Sequence, residues 1–347
     1  MLCLSHAAAT TVKHGGRPAG AVHGYHDEMR TLIAAAVAIV VIATAHRPVG
    51  AQAPVPPPRS NAVIKLLEQG KPVFSIWGNY IGVGRDYHAA VTLQNNRNFD
   101  FILYDLEHDP LDVEGLSQFL RALLDPAAIA KEGVSVVKPV IVRIPPNGRE
   151  IHHNQWMVKQ ILDTGVAGLM FPHIETPEQA INAIKATRYP QPATAANVQP
   201  EGLRGASNAI AARYWGMSGR EYERRSDVWG LSADADMLVI LIIENRLGVD
   251  NVREIARAMR DAHVKVILWA GGGDMSLSYG HDAALTQAGL DKVIAAGKEF
   301  GLPVGINGTT DFQKRYDQGV RAFFDIGPAY AATGPRLTPE QRKAVGR

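Results

Sequence analysis

Eight short apolar runs alternate with helical segments between residues 73 and 325, and this alternation constrains the fold more than any other feature. The runs lie at residues 73–77, 101–105, 139–142, 168–171, 238–244, 266–270, 303–306 and 322–325. Helical segments are predicted at residues 61–68, 111–124, 153–164, 176–186, 251–262, 282–300 and 311–318. Such alternation is typical of α/β proteins with a buried parallel sheet, so we predict a (β/α)8 TIM barrel. An open doubly wound sheet is the alternative, although no glycine-rich phosphate loop follows the first strand.

The N-terminal region has the features of an export signal. Met29-Arg30 precedes the apolar run 31–45, and cleavage after Ala51 would follow small residues. The run is too short for a good transmembrane span, although an uncleaved membrane anchor is the alternative. The predicted divisions are an upstream, non-native extension at 1–28, a signal peptide at 29–51, a proline-rich linker at 52–60 and the barrel domain with a C-terminal helix at 61–347. We therefore expect a periplasmic or secreted protein with no stable membrane insertion after cleavage.

Composition excludes several classes of function. The chain has 347 residues, of which 46% are hydrophobic and 20% charged, and this balance is ordinary for a globular protein. The net charge is only +2, and no basic block is present, so nothing suggests a nucleic-acid partner. The only cysteine, Cys3, lies in the predicted extension. The predicted mature chain therefore has no disulfide, no cysteine-ligated zinc and no thiol nucleophile.

Ionisable side chains occur where the predicted strands end, which is where barrel enzymes place their catalytic residues. They are Asp105, Glu107 and His108 after the second strand, Arg143 at the third, His173 after the fourth, Glu244 at the fifth and Asp274 after the sixth. Glu244 and Asp274 offer two hard oxygen ligands that suit a divalent metal such as Mg²⁺ or Mn²⁺. The preceding Gly271, Gly272 and Gly273 would let the backbone approach a ligand and direct amides at it.

A structural role is the alternative for each of these residues taken alone. Glu244 would then cap a loop, Asp274 would cap a short turn, and Arg143 would simply pair with Glu107. A loop histidine such as His108 would bond to backbone, and His173 would merely be exposed. All of these residues were identified by their position at strand ends and not by their chemistry. We therefore interpret the set as one site.

The placement of lysines narrows the reaction class. A Schiff-base aldolase needs a lysine at the C-terminal end of a strand. Lys138 and Lys265 instead lie at the N-terminal ends of the third and sixth strands. No predicted strand ends on a lysine, so enolate chemistry at this site would be metal-assisted.

Six ordered motifs resemble those of the HpcH/HpaI group of metal-dependent, class II pyruvate aldolases, which includes 4-hydroxy-2-oxoheptanedioate aldolase and 2-dehydro-3-deoxyglucarate aldolase. The motifs are FDFILYDLEHDP, VIVRIP, ILDTGVAGLMFPHIETPEQA, GLRGASNAIAARY, LIIEN and GGGDMSLSYG. The resemblance covers residues 73 to 326 and implies a barrel of the phosphoenolpyruvate/pyruvate type. It also implies an enzyme that cleaves or forms a 4-hydroxy-2-oxo acid, giving pyruvate and an aldehyde.

The resemblance implies a role for each matching residue. Glu244 and Asp274 would bind the divalent metal, which would be Mg²⁺ or Mn²⁺, with Co²⁺ or Zn²⁺ as further candidates. Arg143 would hold the enolate oxygen. His108 would act as the base, and Asp105 would orient it.

Further residues would complete the site by the same resemblance. Asp163 would help to orient the base, either within its own chain or by reaching in from a neighbouring subunit. The amides of residues 271–274 would receive the pyruvate carboxylate, and His173 would contact the aldehyde half. Family members are typically hexamers that exchange a C-terminal helix, so a homo-oligomer, trimer or hexamer, is expected, with residues 338–344 as that helix.

The sequence departs from the family pattern in three places. Ile242 replaces a glutamine, Val266 replaces an aspartate, and Gly271-Gly272 replaces Gly-Pro. These departures leave the substrate preference open. A malyl- or citramalyl-type lyase and a decarboxylase are alternatives within the same chemistry. An exported binding protein for a small oxo acid or dicarboxylate is the alternative from another functional class.

Overall fold

The computed structural model describes residues 59–77, 84–309, 311–325, 328–335 and 337–347. The predicted extension, the predicted signal peptide and nearly all of the predicted linker lie outside these ranges, so these assignments stay predictions. The described residues all belong to one compact unit. Among the described helices, none combines the length and apolarity that crossing a membrane requires.

The described strands form a closed parallel barrel, which confirms the predicted fold. They are β1 (Val73–Trp77), β2 (Phe101–Asp105), β3 (Val140–Arg143), β4 (Gly168–Phe171), β5 (Leu238–Ile243), β6 (Ile267–Ala270), β7 (Val304–Asn307) and β8 (Val320–Phe324). Each strand pairs with the next, and β8 closes the barrel by pairing in parallel with β1. All are short and almost wholly buried, as expected for strands covered on both faces.

Helices surround this barrel. They are α1 (Ala62–Glu68), α2 (Tyr87–Asn95), α3 (Val113–Ala122), α4 (Pro126–Glu132), α5 (Gln155–Asp163), α6 (Pro177–Thr187), α7 (Ala209–Tyr214), α8 (Gly219–Arg225), α9 (Arg246–Asp261), α10 (Gly272–Ser278), α11 (Ala283–Phe300), α12 (Phe312–Gln318), α13 (Pro328–Thr333) and α14 (Pro339–Ala344). Thr338 caps α14 in a capping box, so the predicted C-terminal helix is present. Its exchange between subunits, and the predicted oligomer, stay predictions.

The N-terminal end of the barrel is closed by α1. Val63, Ile64 and Leu67 of this helix belong to the same apolar cluster as the inward-facing strand residues. Asn61 caps α1 and donates from Nδ2 to the carbonyl oxygens of Ala167 and Asp236, at 3.2 and 3.0 Å. Interior access is therefore left to the opposite end, where the strands terminate.

The long connection from α6 to β5 also lies at the closed end, because it leaves after a returning helix and precedes a strand. It contains α7 and α8. The Trp215 indole donates to the carbonyl of Gly165 at 2.7 Å, and the buried Arg188 pairs with Asp227. This connection thus takes no part in the strand-end site of its own chain.

Candidate active site

Strand alternation places three ionisable residues inside the barrel mouth. Leu103, Ile141 and Ile242 face the interior, and residues two positions further along a strand point the same way. The inward residues at the ends of β2, β3 and β5 are therefore Asp105, Arg143 and Glu244. Beneath them lies an aromatic layer in which Trp77, Trp269 and Phe324 contact one another through Phe324, with ring centroids 5.5 and 5.3 Å apart.

Arg143 is held as a fixed cation by its neighbours. It stands opposite Asp105 in the β2–β3 register, and both nitrogens of its fork donate to that carboxylate, Nε to Oδ1 at 2.8 Å. Its Nε also lies 3.1 Å from Oε2 of Glu107, and its guanidinium carbon lies 4.5 Å from the centroid of the Trp77 ring. A buried, bidentate and stacked guanidinium keeps one orientation.

Glu107 is the carboxylate that lies beside His108. The two side chains are 3.4 Å apart, from Nε2 to Oε2, and the histidine is 58% exposed at the mouth. Burial raises the pKa of Glu107, while Arg143 and His108 oppose this shift. The role in orienting His108 that the resemblance implies for Asp105 stays a prediction. Asp105 binds Arg143 and accepts from the backbone N–H of Glu107 at 3.0 Å.

Sequence reasoning gave Glu107 only a structural pairing with Arg143, although the signal for a place beside His108 was present. Glu107 has the same parity as Asp105, so both face the mouth. Asp105 lies within the strand and faces Arg143 across the ladder, whereas Glu107 lies beyond the strand end, next to the loop that carries His108. The alternation of side chains along a strand tells which way each carboxylate points, but it does not tell which carboxylate contacts His108.

Asp163 lies away from this cluster within the same chain. It is the last residue of α5, and that helix returns the chain from the mouth to the closed end of the barrel. Its carboxylate accepts from Nη2 of the buried Arg204 at 3.0 Å. Burial raises the pKa of Asp163, and Arg204 opposes the shift. Asp163 therefore lies apart from the mouth of its own chain, and its contribution to the site of a neighbouring subunit stays a prediction.

Glu244 is a buried carboxylate at the end of β5. Its Oε1 accepts the backbone N–H of His173 at 2.8 Å, and Nδ1 of the same histidine lies 3.6 Å away. Burial raises the pKa of Glu244 to about 8. The hydrogen bond from His173 opposes this shift, and the charges of Asp274 and Glu107 add to it. Oε2 of Glu244 also lies 2.9 Å from the β-carbon position of Gly271, three residues before Asp274, so the two carboxylates lie on the same side of the mouth.

The glycine-rich segment after β6 begins a helix. Gly271 is the N-cap of α10, and Asp274 lies in the first turn. Glycine has low helix propensity, so the sequence pattern does not predict this seven-residue helix. The backbone N–H groups of a first helical turn have no partner within their helix, which leaves the amides of residues 272–274 directed toward the mouth.

The carboxylate pair fits a divalent cation. Among the described residues, no cluster of three or more His, Cys, Asp or Glu side chains has the arrangement of a closed metal site. Mg²⁺ and similar ions, however, are commonly held by one or two carboxylates, with water and substrate completing the shell. A buried carboxylate with two like charges nearby is stabilised when a cation is added. Glu244 and Asp274 can therefore hold such an ion.

Two of the departures from the family pattern lie at the mouth, and one does not. Ile242 is buried one inward position below Glu244, and Gly271 begins α10. Val266 is fully buried immediately before β6, at the closed end of the barrel. Its replacement of an aspartate therefore bears on packing at the closed end and leaves the mouth unchanged.

Gly271→Ala is expected to destabilise the fold by about 1–3 kcal/mol, the usual cost of overpacking. A β-carbon at this position would lie 2.6 Å from Cβ of Glu244 and 2.9 Å from Cγ2 of Ile242, so one of them must move. Gly273→Ala is the matched control in the same helix, because nothing lies within 4 Å of its β-carbon position. Denaturant unfolding of metal-free protein measures both. Equal effects would contradict the close packing at Gly271.

Known proteins are similar to this chain both in sequence and in fold. The sequence model of the HpcH/HpaI aldolase/citrate lyase family matches residues 86–327. A hydroxypyruvate/pyruvate aldolase of Deinococcus radiodurans is 31% identical over 71% of this chain and 76% of its own length. A 5-keto-4-deoxy-D-glucarate aldolase of Escherichia fergusonii is 30% identical over 69% and 78%. The crystal structure of a protein of the same family from Burkholderia cenocepacia is 30% identical, covers 76% of this chain and 91% of its own, and superimposes with a TM-score of 0.58.

Proposed function

The chain belongs to the HpcH/HpaI aldolase/citrate lyase family, and we propose that it is a divalent-metal-dependent aldolase that cleaves or forms a 4-hydroxy-2-oxo acid, giving pyruvate and an aldehyde. Membership makes the chain a carbon–carbon lyase that acts on small molecules, and the family is generally dependent on a divalent metal. The observation that carries the finer proposal is the convergence of Glu244, Asp274, Arg143 and His108 at one barrel mouth.

Glu244 and Asp274 would hold the cation, for which Mg²⁺ and Mn²⁺ suit two carboxylates best. When bound, the cation would supply electrostatic stabilisation of the negative charge that develops as the carbon–carbon bond breaks. Arg143 would donate to the developing enolate oxygen. Because Asp105 and Trp77 already fix its guanidinium, this donation would need no reorganisation at the moment of reaction.

His108 would move the proton. Its Nε2 faces Glu107, so an Nε2–H donated to that carboxylate leaves the lone pair of Nδ1 available. In the cleavage direction, Nδ1 would take the proton of the 4-hydroxyl group, the C4–O bond would become a carbonyl, and the electrons of the C3–C4 bond would enter the enolate. Protonation of the enolate at C3 would complete pyruvate. Glu107 would stabilise the imidazolium that forms in between.

Pyruvate deuteration tests this proposal without knowledge of the aldehyde. The protein, pyruvate and either Mg²⁺ or Mn²⁺ are incubated in D₂O, and deuterium in the methyl group is measured by mass spectrometry after quenching. We expect exchange well above the rate with metal alone, its loss on chelation and its recovery when metal is restored. Exchange that survives chelation would contradict metal dependence. Absence of exchange with Mg²⁺, Mn²⁺, Co²⁺ and Zn²⁺ would contradict a pyruvate enolate.

A further inference from the structure

His173 has an unfavourable backbone conformation at the barrel mouth. Its φ angle is 49°, in the left-handed region that L-residues other than glycine seldom adopt. Residues of this kind persist where the surrounding structure holds them, and they concentrate at functional sites. His173 follows β4 by two residues and is adjacent to Glu244, so its strain lies within the site described above.

Hydrogen bonds on both sides of His173 hold this conformation. The backbone N–H of Ile174 donates to the carbonyl of Ile242 at 3.0 Å, which extends the β4–β5 pairing past the strand. The N–H of Gly148 donates to the carbonyl of Pro172 at 2.9 Å. A β-carbon on Gly148 would lie 2.5 Å from the His173 carbonyl oxygen, so that loop also packs directly against the residue. The N–H of His173 is thereby aimed at Glu244.

The result is a carboxylate fixed from two sides. Oε1 of Glu244 accepts the His173 N–H at 2.8 Å. On the other side, the β-carbon position of Gly271 is 2.6 Å from Cβ of Glu244 and 2.9 Å from its Oε2. Oε2 therefore lies over the start of α10, the helix that carries Asp274. With Oε1 hydrogen-bonded, rotation of the carboxylate away from Asp274 requires that the bond break.

We propose that His173 is a positioning residue for the metal-binding carboxylate, and that it acts through its main-chain N–H held in the left-handed conformation. This inference rests on the proposed function, because it assigns Glu244 to a divalent cation. The role needs a residue that tolerates a positive φ, and it does not need an imidazole. Groups that orient a metal ligand commonly change metal affinity by about 10- to 100-fold when they are lost.

The test compares the affinity of the full-length, metal-free protein for Mn²⁺, measured by electron paramagnetic resonance titration. His173→Gly and His173→Asn keep access to the left-handed region, whereas His173→Val disfavours it because valine is β-branched. We expect the glycine and asparagine variants to bind Mn²⁺ within about 3-fold of the natural protein. We expect the valine variant to bind at least about 10-fold more weakly. Should the valine variant not fold, His173→Ala against His173→Gly makes the same comparison without added bulk.

His263→Val is the matched control for backbone strain. His263 also has a positive φ, 57°, but it lies in the turn after α9 that leads to the closed end of the barrel. This variant should unfold at a lower temperature than the natural protein and bind Mn²⁺ with the same affinity.

Two results would overturn the role of His173 alone. They are an equal loss of affinity in the glycine, asparagine and valine variants, which would assign the effect to the imidazole, and unchanged affinity in the valine variant. A natural protein that binds no Mn²⁺ would instead contradict the proposed metal site, and the role of His173 with it.

Discussion

Glu244→Gln is expected to lower the rate of pyruvate deuteration by about 10²- to 10³-fold, the scale of losing one preorganised electrostatic group in an active site. Glutamine keeps the size of the side chain and an oxygen that can accept the His173 N–H. It removes the negative charge that a cation requires, and Asp274 alone would be left to hold the ion. Rates measured across a metal titration would show whether added metal restores the activity.

Glu254→Gln is the matched control for this substitution. Glu254 is a half-exposed carboxylate on α9 that forms a long ion pair with Arg257, at 3.8 Å. The control is expected to deuterate pyruvate at the natural rate. The Glu244→Gln variant should fold, because a neutral amide removes the cost of burying a charge. A folded Glu244→Gln variant that retains metal-dependent exchange would refute the assignment of Glu244 as a ligand.

The barrel and much of its mouth could be predicted because both follow from local patterns. Apolar runs of strand length identify the strands, and the ends of those runs identify Asp105, Arg143 and Glu244. Alternation along a strand then requires that all three face inward. These inferences need only the sequence near each residue, and the closed barrel confirms the fold on which they depend.

What could not be predicted depends on strand register and on the conformation of loops. The pairing of Asp105 with Arg143 follows from strand register, and the pairing of Glu107 with His108 follows from the loop beyond β2. Short helices such as α10 are stabilised by packing more than by propensity, so their sequences carry little signal. The distance of Asp163 from the mouth of its own chain is different, because it follows from the order of the elements alone. A residue at the end of a helix that precedes a parallel strand lies at the closed end of such a barrel.

Arg143→Lys is expected to lower kcat/KM for pyruvate deuteration by about 10²-fold or more. The role proposed for Arg143 depends on the direction of its guanidinium as well as on its charge. Lysine carries one compact ammonium on a flexible stem. It cannot form the two-point contact with Asp105 while also reaching Glu107, and it loses the flat stacking on Trp77. The positive charge would remain at the mouth, so most of the expected loss would measure orientation.

Arg149→Lys separates this effect from the general cost of replacing a bidentate arginine. Arg149 also binds a buried carboxylate through two nitrogens, with Nε and Nη2 donating to Glu175 at 2.8 and 2.5 Å, but its side chain is 68% exposed. The control should lose stability and keep its kcat/KM. If Arg143→Lys also keeps its kcat/KM, charge alone suffices at this position. The fixed guanidinium would then serve the fold, because the contacts with Asp105 and Trp77 would have no catalytic consequence.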